Sequence, residues 1–132
     1  MGIVHDPLWA DSPRSGVVLH ECGYLEANQN WNFQSVFGPF WRLYYNSEPG
    51  HSVVFESEVV ELNPDRIVVV PPHQLFHCRS TKSVPSLWVH FSVTRMLSEK
   101  MAGALAFQPT PAELALSQEL KEAILEVREL RP

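Results

Sequence analysis

The chain has 132 residues, a length that suits one domain with one hydrophobic core. Its formal net charge is -5 and no stripe of Lys or Arg reverses this locally, so direct contact with a nucleic-acid backbone is not expected. The start of the chain lacks the basic and apolar regions of a secretory signal, and no apolar run is long enough to span a bilayer. Together these features predict a cytoplasmic protein.

Two cysteines, Cys22 and Cys78, are too few for the disulfide framework of a small secreted domain. We interpret both as free thiols in a reducing compartment. A single disulfide between them stays open, because their distance in the fold does not follow from the sequence.

The first part of the chain predicts an irregular arm followed by many short strands. Residues 1–15 contain Pro7 and Pro13, with Leu8 and Trp9 as the sizeable apolar anchors. Segments rich in β-branched and aromatic residues then alternate with turn residues up to position 94. The predicted strands are residues 17–22, 40–46, 52–55, 58–62, 67–70, 75–78 and 87–93. Strands this short and numerous indicate a sandwich or a barrel.

The last part of the chain, residues 95–132, predicts helices. A first helix is expected over residues 95–106. A second is expected over residues 112–130, with Thr110 as its N-cap, Pro111 at its first position and Glu113 three residues after the cap. Apolar residues at alternating steps of four and three form a seam along it, namely Leu116, Leu120, Ala123, Val127 and Leu130.

The seam has two interpretations. It either covers one face of the barrel within a monomer or forms the interface of a homodimer. We expect the homodimer, because a helix of about five turns is longer than a small barrel needs as a cover.

Three motifs in the strand region occur in an informative order. Residues 37–46, followed by Gly50, look like a first barrel strand and its glycine turn. Residues 61–77 join two strands by an Asn-Pro-Asp turn, end the second at Pro71-Pro72, where backbone donors are missing, and reach His77. Residues 88–91, Trp-Val-His-Phe, look like a closing strand.

In this order the motifs resemble the cupin superfamily and, within it, the sensor domains of AraC-type transcription regulators. The resemblance covers residues 16–130. It implies a double-stranded β-helix, or cupin barrel, over residues 16–94, which binds a small-molecule effector such as a sugar or sugar-like compound. It also implies homodimerisation through the C-terminal helices, and contact with DNA only through a helix-turn-helix domain outside these residues.

Two other classes of function stay open. One is a stand-alone metal-dependent cupin enzyme, such as a dioxygenase or isomerase, and the other is a dimerisation module without a ligand. Metal-bearing cupins use two His and a Glu near the first turn and one later His. His77 matches the later His, but residues 50–56 supply only His51, and Glu56 falls on the opposite face of an extended strand. We therefore predict no metal, no other cofactor and no catalysis, with His77 hydrogen-bonded to backbone or ligand.

Alternation along the strands selects the candidate ligand-binding residues. The resemblance places Trp88 where an aromatic ring stacks on the effector, although it also suits the core; His90, on the same face, is interpreted as packing. Arg42 could hold a sugar hydroxyl or a carboxylate with its forked donors, or form a surface ion pair. The resemblance also implies that Phe76 and Cys78 face the effector. Because both side chains are apolar or soft, this argues against a polyol effector. The candidates are Trp88, Arg42, Tyr44, Phe76, His77 and Cys78.

Overall fold

A computed structural model describes residues 16–93 and 103–129. The predicted arm at residues 1–15, most of the first predicted helix and Leu130 lie outside the described residues.

The described residues form nine strands and one helix, with all strand pairs antiparallel. The strands are β1 (Val17–Asn28), β2 (Phe33–Val36), β3 (Trp41–Tyr45), β4 (His51–Val54), β5 (Val59–Leu62), β6 (Ile67–Val70), β7 (Phe76–Ser80), β8 (Val84–Val93) and β9 (Leu105–Phe107). One sheet has the order β1-β8-β3-β6-β9 and the other the order β2-β7-β4-β5. The expectation of a cupin-like β-barrel with a C-terminal helix is confirmed.

The core is made by the inward residues of both sheets. In β4, His51 and Val53 are buried while Ser52 and Val54 are half-buried, the alternation expected of a strand with one covered face. Apolar side chains from both sheets meet there, among them Tyr44, Val53, Leu62, Val68, Val70 and Phe76. This packing holds the two sheets at a fixed separation.

The helix α1 (Pro111–Glu129) begins as the sequence predicts. The Thr110 N–H donates to Glu113 Oε1 at 2.8 Å, and the Glu113 N–H donates to Thr110 Oγ1 at 3.2 Å. This reciprocal pair is a capping box, which satisfies two backbone donors that a helix start leaves without partners. Within the described ranges, no helix has the length and apolarity needed to cross a membrane.

The helix lies against the outer face of β1. Lys121 Nζ sits 4.9 Å from the centroid of the Tyr24 ring, and Arg128 donates to the Tyr24 carbonyl. Leu120 and Ile124 are half-buried, yet none of the described helix residues is fully buried. The helix therefore covers the sheet with one side and leaves the rest of its surface open.

The strands β1 and β8 extend beyond the predicted residues 17–22 and 87–93, and two further segments differ in type from the sequence predictions. Residues 105 and 106, predicted as the end of a helix, form β9 together with Phe107 and pair with β6, with Ile67 opposite Phe107 and Val69 opposite Leu105. Pairing to an open sheet edge thus outweighs the helix propensity of Leu and Ala. Residues 33–36 were not predicted as a strand but form β2, where Ser35 has a φ of 54° and shifts the register against β7.

Candidate functional site

Two rows of side chains cross the larger sheet and form one wall of the candidate site. In the first row Glu21 of β1 lies opposite His90 of β8, which in turn lies opposite Arg42 of β3. In the second row Gly23, Trp88 and Tyr44 align on the same three strands. Because side chains two residues apart in a strand share a face, both rows point to the interior.

The other sheet and the connection between β1 and β2 complete a cavity of about 460 Å³. This volume falls in the range of about 300–1,000 Å³ typical of small-molecule sites. Besides the two rows, the lining residues are Leu25, Asn28, Asn30, Trp31, Phe33, Gln34, Val36 and Cys78. The cavity thus combines flat aromatic surface with a few polar groups, the composition expected of a binding site.

Arg42 is the cationic side chain of this lining, and only 7% of its surface is exposed. Its Cζ lies 5.0 Å from the centroid of the Phe40 ring and 5.5 Å from that of Phe76, so two aromatic faces support the guanidinium. Among the described residues, the only ion pair is between Arg66 and Asp65, so none of their carboxylates lies within 4.0 Å of Arg42. The guanidinium therefore keeps donors that can reach into the cavity.

Glu21, the carboxylate of the lining, has a different partner. Its Oε2 accepts a hydrogen bond of 2.9 Å from Trp88 Nε1. Adjacent strands are about 4.8 Å apart, so the backbones of Glu21 and Arg42 are separated by roughly 10 Å across β8. Glu21 thus fixes the orientation of the indole and does not neutralise the arginine.

His90 stands between these two charges. Its ring stacks on Phe40, with centroids 5.3 Å apart and planes 15° apart. Burial lowers the pKa of His90, nearby Arg42 lowers it further and Glu21 opposes the shift. The ring is therefore neutral at pH 7, with one donor and one acceptor nitrogen.

Tyr44 and Cys78 supply neutral groups to the cavity. Burial raises the pKa of the Tyr44 phenol, which stays protonated and can donate a hydrogen bond. Burial also raises the pKa of Cys78 to about 12, so its thiol behaves as a soft apolar group and not as a thiolate nucleophile. Both cysteines are free, which leaves Cys78 available as lining.

Trp88 connects the cavity to the outside of the sheet. Its ring occupies the space where a side chain at position 23 would lie: a Cβ built on Gly23 would be 2.1 Å from Trp88 Cζ2. Trp88 and Gly23 also line a groove beneath α1, together with Leu120, Ile124 and Val127. One side chain thus contacts both the cavity and the helix groove.

His51 belongs to the frame of the barrel. Its Nε2 donates to the Asn28 carbonyl at 3.0 Å, so Nδ1 accepts from Asn46 Nδ2 at 3.0 Å and from Ser86 Oγ at 3.3 Å. The ring stacks on Trp31 with planes only 1° apart. Both nitrogens are therefore engaged, and no group of three or more His, Cys, Asp or Glu side chains within residues 16–93 and 103–129 has the arrangement of a metal site.

The structure brings together four of the six predicted ligand-binding residues, Arg42, Tyr44, Cys78 and Trp88. Phe76 is fully buried behind Arg42 and supports it. His77 has the opposite parity in β7, so it lies on the other face of the sheet, where its Nδ1 accepts from the Ser35 N–H at 2.9 Å. The structure therefore does not place His77 at the cavity.

Several lining residues were missed by the sequence analysis. Trp31 lies in the connection between β1 and β2, and its Nε1 donates to the Ser52 carbonyl at 3.2 Å. Asn28 and Glu21 come from the part of β1 that pairs with β8. The aromatic–polar–aromatic run of Trp31, Asn32 and Phe33 is a signal that could have indicated this segment.

Comparisons with known proteins agree with the fold. No protein-family model matches the chain, and no curated protein matches it by sequence. An apo ToxT variant from Vibrio cholerae strain SCE256 is similar in structure, with 10% identity and a TM-score of 0.50, and the match covers 83% of this chain and 46% of that one. Wild-type ToxT from the same strain, with a bound unsaturated fatty acid, gives 10% identity, a TM-score of 0.49 and coverages of 84% and 50%.

ToxT is an AraC-family regulator, so the similarity to its apo variant agrees, in fold, with the family resemblance described for the sequence. At 10% identity they show the fold alone. The chain spans about half the length of the ToxT chains that it matches.

Proposed function

We propose that this chain is the effector-sensing domain of an AraC-type transcription regulator, and that the effector binds in the cavity between the two sheets. The observation that carries the proposal is the cavity of about 460 Å³, with aromatic walls and a few converging polar groups. The ToxT-like barrel supports it at the level of fold. Because the lining is richer in aromatic surface than in polar groups, it favours an effector with an apolar body over a sugar.

Sensing requires that the effector favour one state of the domain over another. Trp88 supplies a physical route, since it contacts the cavity on one side and the groove under α1 on the other. An effector that presses on the indole changes the packing of Leu120 and Val127 in that groove. The predicted arm at residues 1–15 is proposed as a second element whose position depends on the effector.

Homodimerisation through α1 is part of the proposal. Leu116 is 62% exposed and Val127 is 52% exposed, although both are large and apolar. Ala123 and Val127 border the groove beneath α1, and Leu116 borders a second groove between the helix and the sheet, so the three form an apolar strip that the barrel covers only in part. Exposed apolar strips with charged neighbours are typical of helix interfaces. DNA contact is proposed only through a helix-turn-helix domain outside these 132 residues, since this domain is acidic.

Thermal unfolding with a panel of aromatic acids, fatty acids, sugars and neutral aromatic compounds tests the sensing proposal. A ligand present at 100 times its dissociation constant stabilises the folded state by about 2.7 kcal/mol. We expect at least one class to raise the unfolding temperature of the wild type, and a Trp88→Ala variant to respond at higher concentrations only. If no compound stabilises the domain, the sensing proposal is wrong.

Sedimentation equilibrium tests the dimer proposal. Val127→Glu places a charge in the exposed strip, whereas Gln118→Glu adds the same charge to an exposed helix position outside it. We expect the wild type and Gln118→Glu to dimerise at tens of micromolar, a range of about 6–7 kcal/mol in binding free energy, and Val127→Glu to be monomeric. A monomeric wild type contradicts the proposal, and three equal dimers place the interface elsewhere.

A further inference from the structure

We infer that the effector is an organic carboxylate with an apolar body, whose carboxylate binds the guanidinium of Arg42. This inference rests on the proposed function and names the chemical class that the cavity takes. It is carried by the position, burial and partners of Arg42.

The guanidinium of Arg42 carries a positive charge in a buried position. Arg42 is 7% exposed, and leaving a buried cation without a counter-charge is unfavourable. Phe40 and Phe76 support the guanidinium through their ring faces, but neither is an anion. Within residues 16–93 and 103–129, no ion pair involves Arg42. Among the described residues no acidic side chain pairs with Arg42, and a ligand can supply the negative charge.

Glu21 is the carboxylate of the cavity lining that could neutralise Arg42. Glu21 lies in the same cross-strand row, but its Oε2 holds Trp88 Nε1 at 2.9 Å, and β8 separates its strand from that of Arg42. His90, between them, has its pKa lowered by burial and is neutral at pH 7. The protein's own acid therefore leaves Arg42 free for an external carboxylate.

The shape of the Arg42 side chain suits recognition of a carboxylate. A guanidinium presents two parallel N–H groups to the two oxygens of a carboxylate, and such forked pairs are the strong ones in proteins. Tyr44 follows Arg42 on the same face of β3, and its protonated hydroxyl is a further donor in the lining. These two donor groups on one face of β3 match the acceptor oxygens of a carboxylate.

The other lining residues favour a ligand with an apolar body. Beyond Arg42 and Tyr44 most of the wall is apolar, with Trp31, Phe33, Val36 and Trp88 among its residues, although the side chains of Glu21, Asn28, Asn30, Gln34 and His90 also line it. Flat rings stack well on such walls and a straight alkyl chain also fills them. Both kinds of ligand carry a carboxylate on an apolar body, and the experiment below determines whether that body is aromatic or aliphatic.

Isothermal titration calorimetry with matched probes tests the inference. Indole-3-acetate carries the carboxylate, indole-3-acetamide has the same shape without the charge, and decanoate replaces the ring by a chain. Charge-assisted hydrogen bonds give the acid about a 10- to 100-fold advantage over the amide in the wild type. Tighter binding of indole-3-acetate than of decanoate indicates that the apolar body of the effector is aromatic, and tighter binding of decanoate indicates that it is aliphatic.

Variants at two arginines provide the control. In Arg42→Gln we expect the acid and the amide to bind equally, whereas Arg42→Lys keeps part of the preference because the charge remains and the fork is lost. Arg66→Gln removes an arginine that pairs with Asp65 on an exposed turn, and it should keep the full preference. The ratio of acid to amide affinity is measured within each protein, so partial unfolding of a variant does not change it.

Two results overturn the inference. One is equal binding of the acid and the amide by the wild type, and the other is an acid preference that survives Arg42→Gln. If no carboxylate binds while a neutral compound stabilises the domain in the thermal screen, the carboxylate inference fails and the sensing proposal stands. If nothing binds in either experiment, both fail.

Discussion

Replacement of Gly23 by alanine tests the contact that links the cavity to α1. A Cβ at this position would lie 2.1 Å from Trp88 Cζ2 and 2.4 Å from Cε2. Ordinary contact between carbon atoms begins at about 3.5 Å, so the indole must move by about 1.4 Å. That movement draws Nε1 away from Glu21 Oε2, which it contacts at 2.9 Å. We expect a loss of about 1–3 kcal/mol of stability, the usual result of overpacking.

At about 4 °C per kcal/mol for a domain of this size, the unfolding temperature of Gly23→Ala falls by roughly 4–12 °C. Thermal unfolding followed by circular dichroism measures it, and the same variant should bind any cavity ligand more weakly. The matched background is Trp88→Leu, which removes the ring. There, Gly23→Ala should be neutral or stabilise by about 0.4–1 kcal/mol, because alanine has less freedom in the unfolded chain. An equal cost in both backgrounds, or no cost in either, would refute the reasoning.

Three further predictions concern other parts of the fold. Thr110→Ala removes the side chain of the capping box and should cost about 1 kcal/mol in urea unfolding, while Thr110→Ser should cost less. Burial lowers the pKa of His51 from 6.5, so the stability that neutral His51 contributes is present above pH 6.5 and is lost as the pH falls through the folded-state pKa. The urea concentration at the unfolding midpoint should therefore be lower at pH 5.5 than at pH 7.5. The difference should be smaller in His51→Gln. Cys78, with a pKa of about 12, should resist iodoacetamide at pH 8 until urea unfolds the domain, as mass spectrometry would show.

The parts of the fold that the sequence predicted are those with a local signal. The start of α1 followed from Thr110, Pro111 and Glu113, because a capping box involves residues three apart. The strand β6 followed from Ile67–Val70, a β-branched run between a turn and two prolines. In both cases the determining contacts lie within a few residues of each other.

The segments that were missed depend on distant partners. Leu105–Phe107 has the composition of a helix and becomes a strand because it pairs with β6. Phe33–Val36 is short, and Ser35 with its φ of 54° interrupts the alternation that marks a strand. Neither pairing has a signal inside its own segment.

In the candidate site, too, the features with a local signal were predicted and those that depend on distant partners were missed. Because side chains alternate between the two faces of a strand, the sequence placed Arg42 and Tyr44 on one face of β3 and Trp88 on the face of β8 opposite to Leu87. Parity could not reveal that Glu21 faces His90, or that Trp31 comes in from the connection between β1 and β2, since these positions depend on register between strands. It also could not reveal that His77 faces away from the cavity, because the inward side of β7 is set by its neighbours.

The central claim is that occupation of the cavity changes how this domain assembles. Sedimentation equilibrium of the wild type, with and without a saturating cavity ligand, tests it most directly. Coupling of about 1–3 kcal/mol between the two sites would shift the dimer dissociation constant by about 5- to 150-fold, and the Trp88→Ala variant, which lacks the connecting side chain, should show a smaller shift. An unchanged dissociation constant, with calorimetry showing the cavity to be occupied, would contradict the account and leave the domain as a binding module that does not sense.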